Sequence, residues 1–448
     1  MNESRRTFRR DALTVLLAYG SSVVILIVTA VATARLLGPA GRGDYALATL
    51  LPVMIVTVIG LGLAPATTFL TARGESDDAE ILSVVLVGSP ALGVCAAAAV
   101  AVPLTTVGGS WLGNLSSTDL VLAVVAVPFL FLAGTSQAYL LGKRRFPAYN
   151  AAVILQAAAP LTLIVGTHVV TGIGVTSAIA ATVAGLGLSS MLSAFWCYHS
   201  LGCGLRRPSS AYVTRLLRYA LRLGLFNVFN FLGYRVDLFI LAAFATAGTV
   251  GLYSIAVATA EKAWLLSYAA STVLFSRLAG ERDEAARLAL TPQVTRAVLL
   301  LTAMVALALA LASEWLLDLV YSASFRQASG ALVALLPGIV FLAAARILAN
   351  DIAARDRPGA NSVVSAVSLG VNVIMNLVLI PRHGAVGAAW ASTASYGVFL
   401  ILTLAVYLRL SGNAVRSTLL VSWKDIRLVA TELSRIRPYS RATGGDGG

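Results

Sequence analysis

The apolar residues of this chain come in blocks of about 20, one after another from Ala12 to Leu410, the length that crosses a roughly 30 Å hydrocarbon core as a helix. Lipid offers no hydrogen bonds to a backbone, so blocks of that length must satisfy their own amides and carbonyls as helices. Charged residues make up only 12% of the chain, about half of what a water-soluble surface needs. The spacing predicts spans over 12–36, 45–72, 80–104, 119–142, 149–170, 175–201, 219–245, 250–278, 293–320, 329–350, 361–381 and 386–410. The expected fold is therefore an all-α integral membrane protein of about 12 transmembrane helices.

Basic residues set the orientation. Of the 33 Lys and Arg, 27 fall on one side of these spans and four, Arg35, Arg42, Arg326 and Arg382, on the other. Cytoplasmic loops retain positive charge, so both termini are expected in the cytoplasm of a plasma-membrane protein. The same rule explains the net charge of +13 without nucleic acid, which is excluded as a partner. Ser4-Arg5-Arg6-Thr7-Phe8 resembles a twin-arginine signal, but the apolar stretch after it is long enough to span and a run of further spans follows. It reads as an anchor. Cys95, Cys197 and Cys203 offer no disulfide framework; Cys197, His199 and Cys203 lack a fourth metal ligand, and neither metal nor cofactor is expected.

The chain repeats itself. "RLLGPAGRGDYALATLLP" across spans 1 and 2 parallels "AAFATAGTVGLYSIAVA" across spans 7 and 8, aligning Gly43 and Tyr45 with Gly251 and Tyr253 at an offset of 208. "KRRFPAYN" and "ARDRPGAN" align Pro147 and Asn150 with Pro358 and Asn361. Each half has six spans, so the repeats are parallel and a site is expected between them near mid-membrane. The expected organisation is a cytoplasmic basic N-terminus (1–11), two six-helix bundles (12–205 and 206–411) and a basic cytoplasmic tail (412–448). In the tail, Leu419 to Arg437 has the pattern of an amphipathic helix lying on the inner leaflet; packing against the underside of the bundles is the alternative.

"ARLLGPAGRGDYALATLLP", "GLYSIAVATAEKAWLLSYAASTVLFSRLAG" and "GAVGAAWASTASY" resemble the polysaccharide (O-antigen-type, Wzx-like) flippases, of the superfamily that includes the MATE exporters and the lipid II flippases. The resemblance implies a MATE-like fold, two bundles related by a pseudo-two-fold axis around a central cavity. It implies a flippase carrying a polyprenyl-pyrophosphate-linked oligosaccharide to the outer leaflet for cell-surface polysaccharide assembly, by alternating access. Membrane lipids and other polysaccharide-assembly proteins are the further expected partners.

Such a head group carries negative charge and many hydroxyls, so it needs a wet, cationic path. Ionisable residues inside spans are where to look for one. Arg235 on span 7 lies about 11 residues, roughly 16 Å, from the outer end, and Lys262 on span 8 lies at similar depth. Arg235 is the first candidate for the pyrophosphate because a guanidinium grips phosphate bidentately. Asn227, Asn230 and Tyr234 recur at i, i+3, i+7 and could line the wall. Asp237 and Glu261 bring the local charge to zero, so a structural ionic cluster is the alternative reading. Arg35, Arg42 and Asp44 at the outer turn are gate candidates; the alternative pairs Arg42 with Asp44 and lets Arg35 snorkel to the interface. Glu314 and Asp318 could bind a cation or simply be solvated. Pro52, Pro65, Pro90, Pro128, Pro160 and Pro337 permit bends.

Two other functions compete. A cation-coupled small-molecule exporter of the MATE type would carry an acid inside span 1, whereas Asp11 sits at its cytoplasmic edge. A glycan-assembling enzyme would need catalytic groups outside, and the outer loop from Val107 to Thr118 has no His, Lys, Arg or Glu. No enzymatic activity is expected.

Overall fold

The computed structural model describes residues 2–74, 76–106, 115–199, 204–263, 284–355 and 357–421, together with 423, 425 and 427. The described part is an all-α membrane protein. Nine of its helices are long and apolar enough to cross a membrane. Two of these, α1 (Asn2–Gly60) and a later helix over Pro358–Ser411, are each a pair of spans joined at a non-helical glycine, Gly38 and Gly384. Both glycines have positive φ, a backbone conformation that costs other residues the clash of a Cβ. They stand where the spacing predicts the turns between spans 1 and 2 and between spans 11 and 12. Span 8 is described only as far as Ala263, and the rest of it lies outside the described residues.

Three spans are less regular than hydropathy implies. Span 2 breaks at Leu61 and Gly62, both with positive φ, before it resumes as α2 (Leu63–Arg73). Span 3 starts as α3 (Asp78–Ser83) and passes through a π turn over Val84–Gly88 into α4 (Ser89–Thr106). Pro90 cannot donate to the ladder and crowds the carbonyl one turn back, and the wider turn relieves that clash. Span 9 breaks at Ala312, ahead of a short helix over Ser313–Val320. Averaged apolarity cannot register such breaks, because each side is as apolar as the other.

In the first half, α1 packs on α5 (Ser117–Gly142), α6 (Phe146–Thr171) and α7 (Val175–His199). In the second, α8 (Ser210–Phe244) packs on the helix Pro358–Ser411, which packs in turn on the helix Ser329–Ala354. Two of the expected bends turn out to be close-packing points. A Cβ on Gly93 would lie 2.6 Å from Cα of Pro128, and one on Gly185 would lie 2.5 Å from N of Pro160. A small residue against a proline lets two backbones approach directly.

The halves meet at two crossings. At the face expected to be outer, near the Gly38 turn, α1 crosses α9 (Ala247–Ala263) so closely that a Cβ on Gly43 would lie 2.0 Å from the Ala247 oxygen, and one on Gly251 would lie 1.8 Å from the Pro39 oxygen. These are the glycines aligned by the internal repeat. Towards the opposite face, expected to be inner, a Cβ on Gly224 of α8 would lie 1.9 Å from the Leu61 oxygen at the break in span 2. The rings of Phe69 and Tyr219 meet nearby, tilted by 38° with centroids 4.7 Å apart.

The segment joining the halves is fastened to the first of them. Arg206 pairs with Asp77 at 3.3 Å, Ser209 donates to Glu80 at 3.0 Å, and Lys143 pairs with Asp78. After Gly412 the chain turns onto the underside of the second half. Asn413 donates to the Leu288 carbonyl at 3.1 Å, and Arg296 grips Asp425 through two nitrogens at 2.8 and 3.1 Å. The start of the tail thus packs against the bundle, which is the alternative to a leaflet-bound helix. Residues 422, 424, 426 and everything from 428 onward lie outside the described residues.

Candidate functional site

Between the two crossings lies a cavity of about 230 Å³. Span 2 supplies Arg42, Ala46, Thr49 and Leu50; α8 supplies Tyr234, Arg235, Asp237 and Leu238; α9 supplies Ser254, Val257, Ala258 and Glu261. Both halves therefore contribute. These positions recur at helical spacing because each helix turns one stripe towards the other half.

Arg235 and Glu261 form a two-point ion pair across α8 and α9, with nitrogen–oxygen distances of 2.8 and 3.1 Å. Their side chains are 30% and 21% exposed, so the pair is partly open to the cavity. Asp237 is buried and knits three helices together. It accepts hydrogen bonds from Tyr253, from Ser392 at 3.0 Å and from the Leu238 amide at 2.8 Å. Behind Ser392 stand Asn372, 3.4 Å away, and Asn376, which donates to Asn372 at 2.9 Å. Removing the carboxylate leaves two buried hydroxyls short of an acceptor, at about 1–3 kcal/mol each. Asp237→Ala is therefore expected to lower the thermal unfolding temperature in detergent clearly more than Asp237→Asn, which keeps an acceptor. Equal melting of the two variants would refute this structural role.

The outer-turn residues do not form the expected pair. Arg42 donates to Thr33 Oγ1 at 2.9 Å and lies over the Tyr45 ring at 5.4 Å. It is not within ion-pair distance of Asp44; its Nε and Asp44 Oδ1 are both buried without a hydrogen-bond partner. The physical reason is the turn at Gly38, which folds span 2 back on span 1 and aims Arg42 inward. Arg42 is thus a cavity residue, and it has no carboxylate partner among the described residues. Arg35 does not snorkel: it donates to the Leu319 and Val320 carbonyls at 2.5 and 2.9 Å, capping the short helix of span 9 and tying the halves together outside. Asp318 pairs with Arg326.

The polar stripe on α8 faces the second half rather than the cavity. Asn230 accepts from Tyr234 at 2.9 Å and donates to Ser365 at 3.3 Å. Tyr234 alone of that stripe reaches the cavity wall, and Asn227 is exposed outside it. Lys262 is also exposed and is not part of the wall. Arg346 is a cation that the sequence reading assigned to the cytoplasmic side; it stands over the Tyr234 ring at 5.5 Å. Its signal, an arginine eight residues before the end of an apolar helix, is indistinguishable from that of an interfacial anchor. Cys197 donates to the Ser136 carbonyl at 3.4 Å and His199 stacks on Phe195; Cys203 and the side chain of Asp11 lie outside the described residues.

Residues 8–280 match the polysaccharide biosynthesis protein family. The chain belongs to that family. The chain is also 22% identical over 210 residues to a Haloferax volcanii protein described as a probable low-salt glycan biosynthesis flippase, Agl15. The match takes in 46% of this chain and 44% of that protein, so the chain spans less than half the length of this curated relative. Its fold is that of a lipid II flippase MurJ in an inward closed conformation, with a TM-score of 0.76 at 15% identity, over 95% of this chain and 93% of that one. An inward-facing MATE-family multidrug transporter of the MOP superfamily superposes with a TM-score of 0.67 at 16% identity, over 88% and 94% of the two chains. These proteins are named as flippases or transporters and not as enzymes, in agreement with the expectation from the outer loops.

Proposed function

We propose that this member of the polysaccharide biosynthesis protein family flips a polyprenyl-pyrophosphate-linked oligosaccharide from the inner to the outer leaflet, by alternating access through the cavity between its halves. The observation that carries this reading is a cavity walled by both halves, closed by glycine crossings above and below, into which Arg42 projects without a carboxylate partner. A diphosphate needs fixed positive charge where water is scarce, and an arginine already desolvated by the protein supplies it without reorganisation. Arg235 adds a second guanidinium held in place by Glu261, and a phosphate arriving beside it would compete with that carboxylate. The names of the relatives, a glycan biosynthesis flippase and a lipid II flippase, point to the same cargo class.

A cation-coupled small-molecule exporter finds less support. Its carboxylate should lie inside span 1, where residues 12–36 hold no Asp or Glu, whereas the buried Asp237 lies in the second half, engaged by Tyr253 and Ser392. The test is transbilayer movement of a fluorescent polyprenyl-pyrophosphoryl oligosaccharide in liposomes containing the purified chain. Movement is expected with the wild type and at least tenfold less with Arg42→Ala. No movement with glycan lipids, while a cation gradient drives a small dye across, would reverse the assignment.

A further inference from the structure

A second, larger cavity of about 440 Å³ lies inside the first half, among spans 1, 2, 4, 5 and 6. Its chemistry differs from that of the cavity between the halves. Leu26, Val53, Leu130, Val153, Ile179 and Leu186 dominate its wall, and Leu26 and Val53 are 55% and 36% exposed at its mouth. The hydroxyls in the wall are already satisfied by their own helices: Thr29 donates to the Ile25 carbonyl at 2.9 Å, Thr49 to Tyr45 at 2.7 Å and Thr182 to Ala178 at 2.9 Å. Gln156 is likewise bonded, to Gln137 at 2.6 Å. An apolar occupant would therefore strand none of these threonine hydroxyls. Two residues, Arg42 and Thr49, line both cavities, and the unpartnered Nε of Arg42 stands at this junction.

From this arrangement we infer that the first-half cavity receives the isoprene units next to the pyrophosphate, so that one cargo molecule occupies two chambers with its diphosphate at Arg42. The inference rests on the flippase reading and assigns a place to a part of the cargo. The order of chemistries in the wall matches the order in the ligand. An apolar chamber is followed by an unpaired guanidinium and then by a charged, hydrogen-bonding chamber, just as an isoprenoid is followed by a diphosphate and a sugar. Such a seat would also fix the cargo's direction, because a lipid held only by its head could enter with its sugar facing either half.

The test uses the full chain in nanodiscs and three probes: a short isoprenyl diphosphate without sugar, a soluble sugar diphosphate without lipid, and the lipid-linked oligosaccharide. Ala157→Phe and Val153→Phe fill the apolar chamber from one helix, while Leu130→Ala enlarges it. Filling is expected to weaken the isoprenyl diphosphate at least tenfold and to leave the sugar diphosphate unchanged; Leu130→Ala should retain both. Should the isoprenyl diphosphate bind the filled variants as it binds the wild type, the two-chamber seat is overturned although flipping stands. A wild type that binds none of the probes and moves no glycan lipid removes the functional reading and the seat with it. A photoreactive isoprenyl diphosphate needs no variant. Adducts are expected on 149–160 and 179–186, and labelling confined to the outer surface of the second half would overturn the proposal.

Discussion

Gly251→Ala is expected to hold the two halves apart at the outer face and to abolish net flipping. A Cβ there would sit 1.8 Å from the Pro39 oxygen, whereas non-bonded heavy atoms rest about 3.5 Å apart. The obstacle is backbone, not a side chain that can rotate away, so α1 and α9 must separate by more than an ångström. Gly224→Ala should act in mirror image, because its Cβ would meet the Leu61 oxygen at 1.9 Å near the inner face. The readout is a single cysteine at Ser254 in a background lacking Cys95, Cys197 and Cys203, labelled by an impermeant maleimide from either side of oriented vesicles. Gly251→Ala should raise labelling from outside, and Gly224→Ala from inside. If both variants label as the parent does, the crossings are mere packing and not the closures of the cavity.

The second large effect concerns the pair of Arg235 and Glu261. Arg235→Ala leaves a carboxylate facing the cavity alone; fully buried pairs lose about 3–5 kcal/mol when broken in this way, and partial exposure here should reduce that to about 2 kcal/mol. Removing both partners should recover most of the stability, since no lone charge remains. Flipping separates the two readings of the cluster. We expect the double variant to melt near the wild-type temperature yet flip at least tenfold more slowly, because a guanidinium that meets the diphosphate is missing. A double variant that flips at the wild-type rate would make the pair a brace and nothing more.

Most of the helical architecture was written in the spacing of apolar blocks, because the bilayer imposes length. What escaped that reading depended on direction. Arg42 and Arg35 lie seven residues apart on either side of one turn, and both looked like outer-gate residues. Only the path of the chain through Gly38 turns Arg42 inward and sends Arg35 to the carbonyls of Leu319 and Val320. The stripe of Asn227, Asn230 and Tyr234 was correctly periodic, but periodicity does not say which neighbour a face meets. The break at Leu61–Gly62 left almost no trace, since Gly60-Leu61-Gly62 is ordinary composition for a membrane helix.

The repeat and the outer crossing together carry a historical consequence. Gly43 and Gly251 are counterparts in the two halves, and they meet each other. A half-length ancestor pairing with its own copy would have made this contact with a single codon, each subunit offering the same glycine to the same spot on its twin. The crossing at Gly62 and Gly224 has no such symmetry: at the same offset, the counterparts of these glycines are Ala270 and Leu16. The crossing at Gly43 and Gly251 thus follows the repeat, while the one at Gly62 and Gly224 departs from it. Substitutions can therefore alter one crossing without disturbing the glycine pair that forms the other.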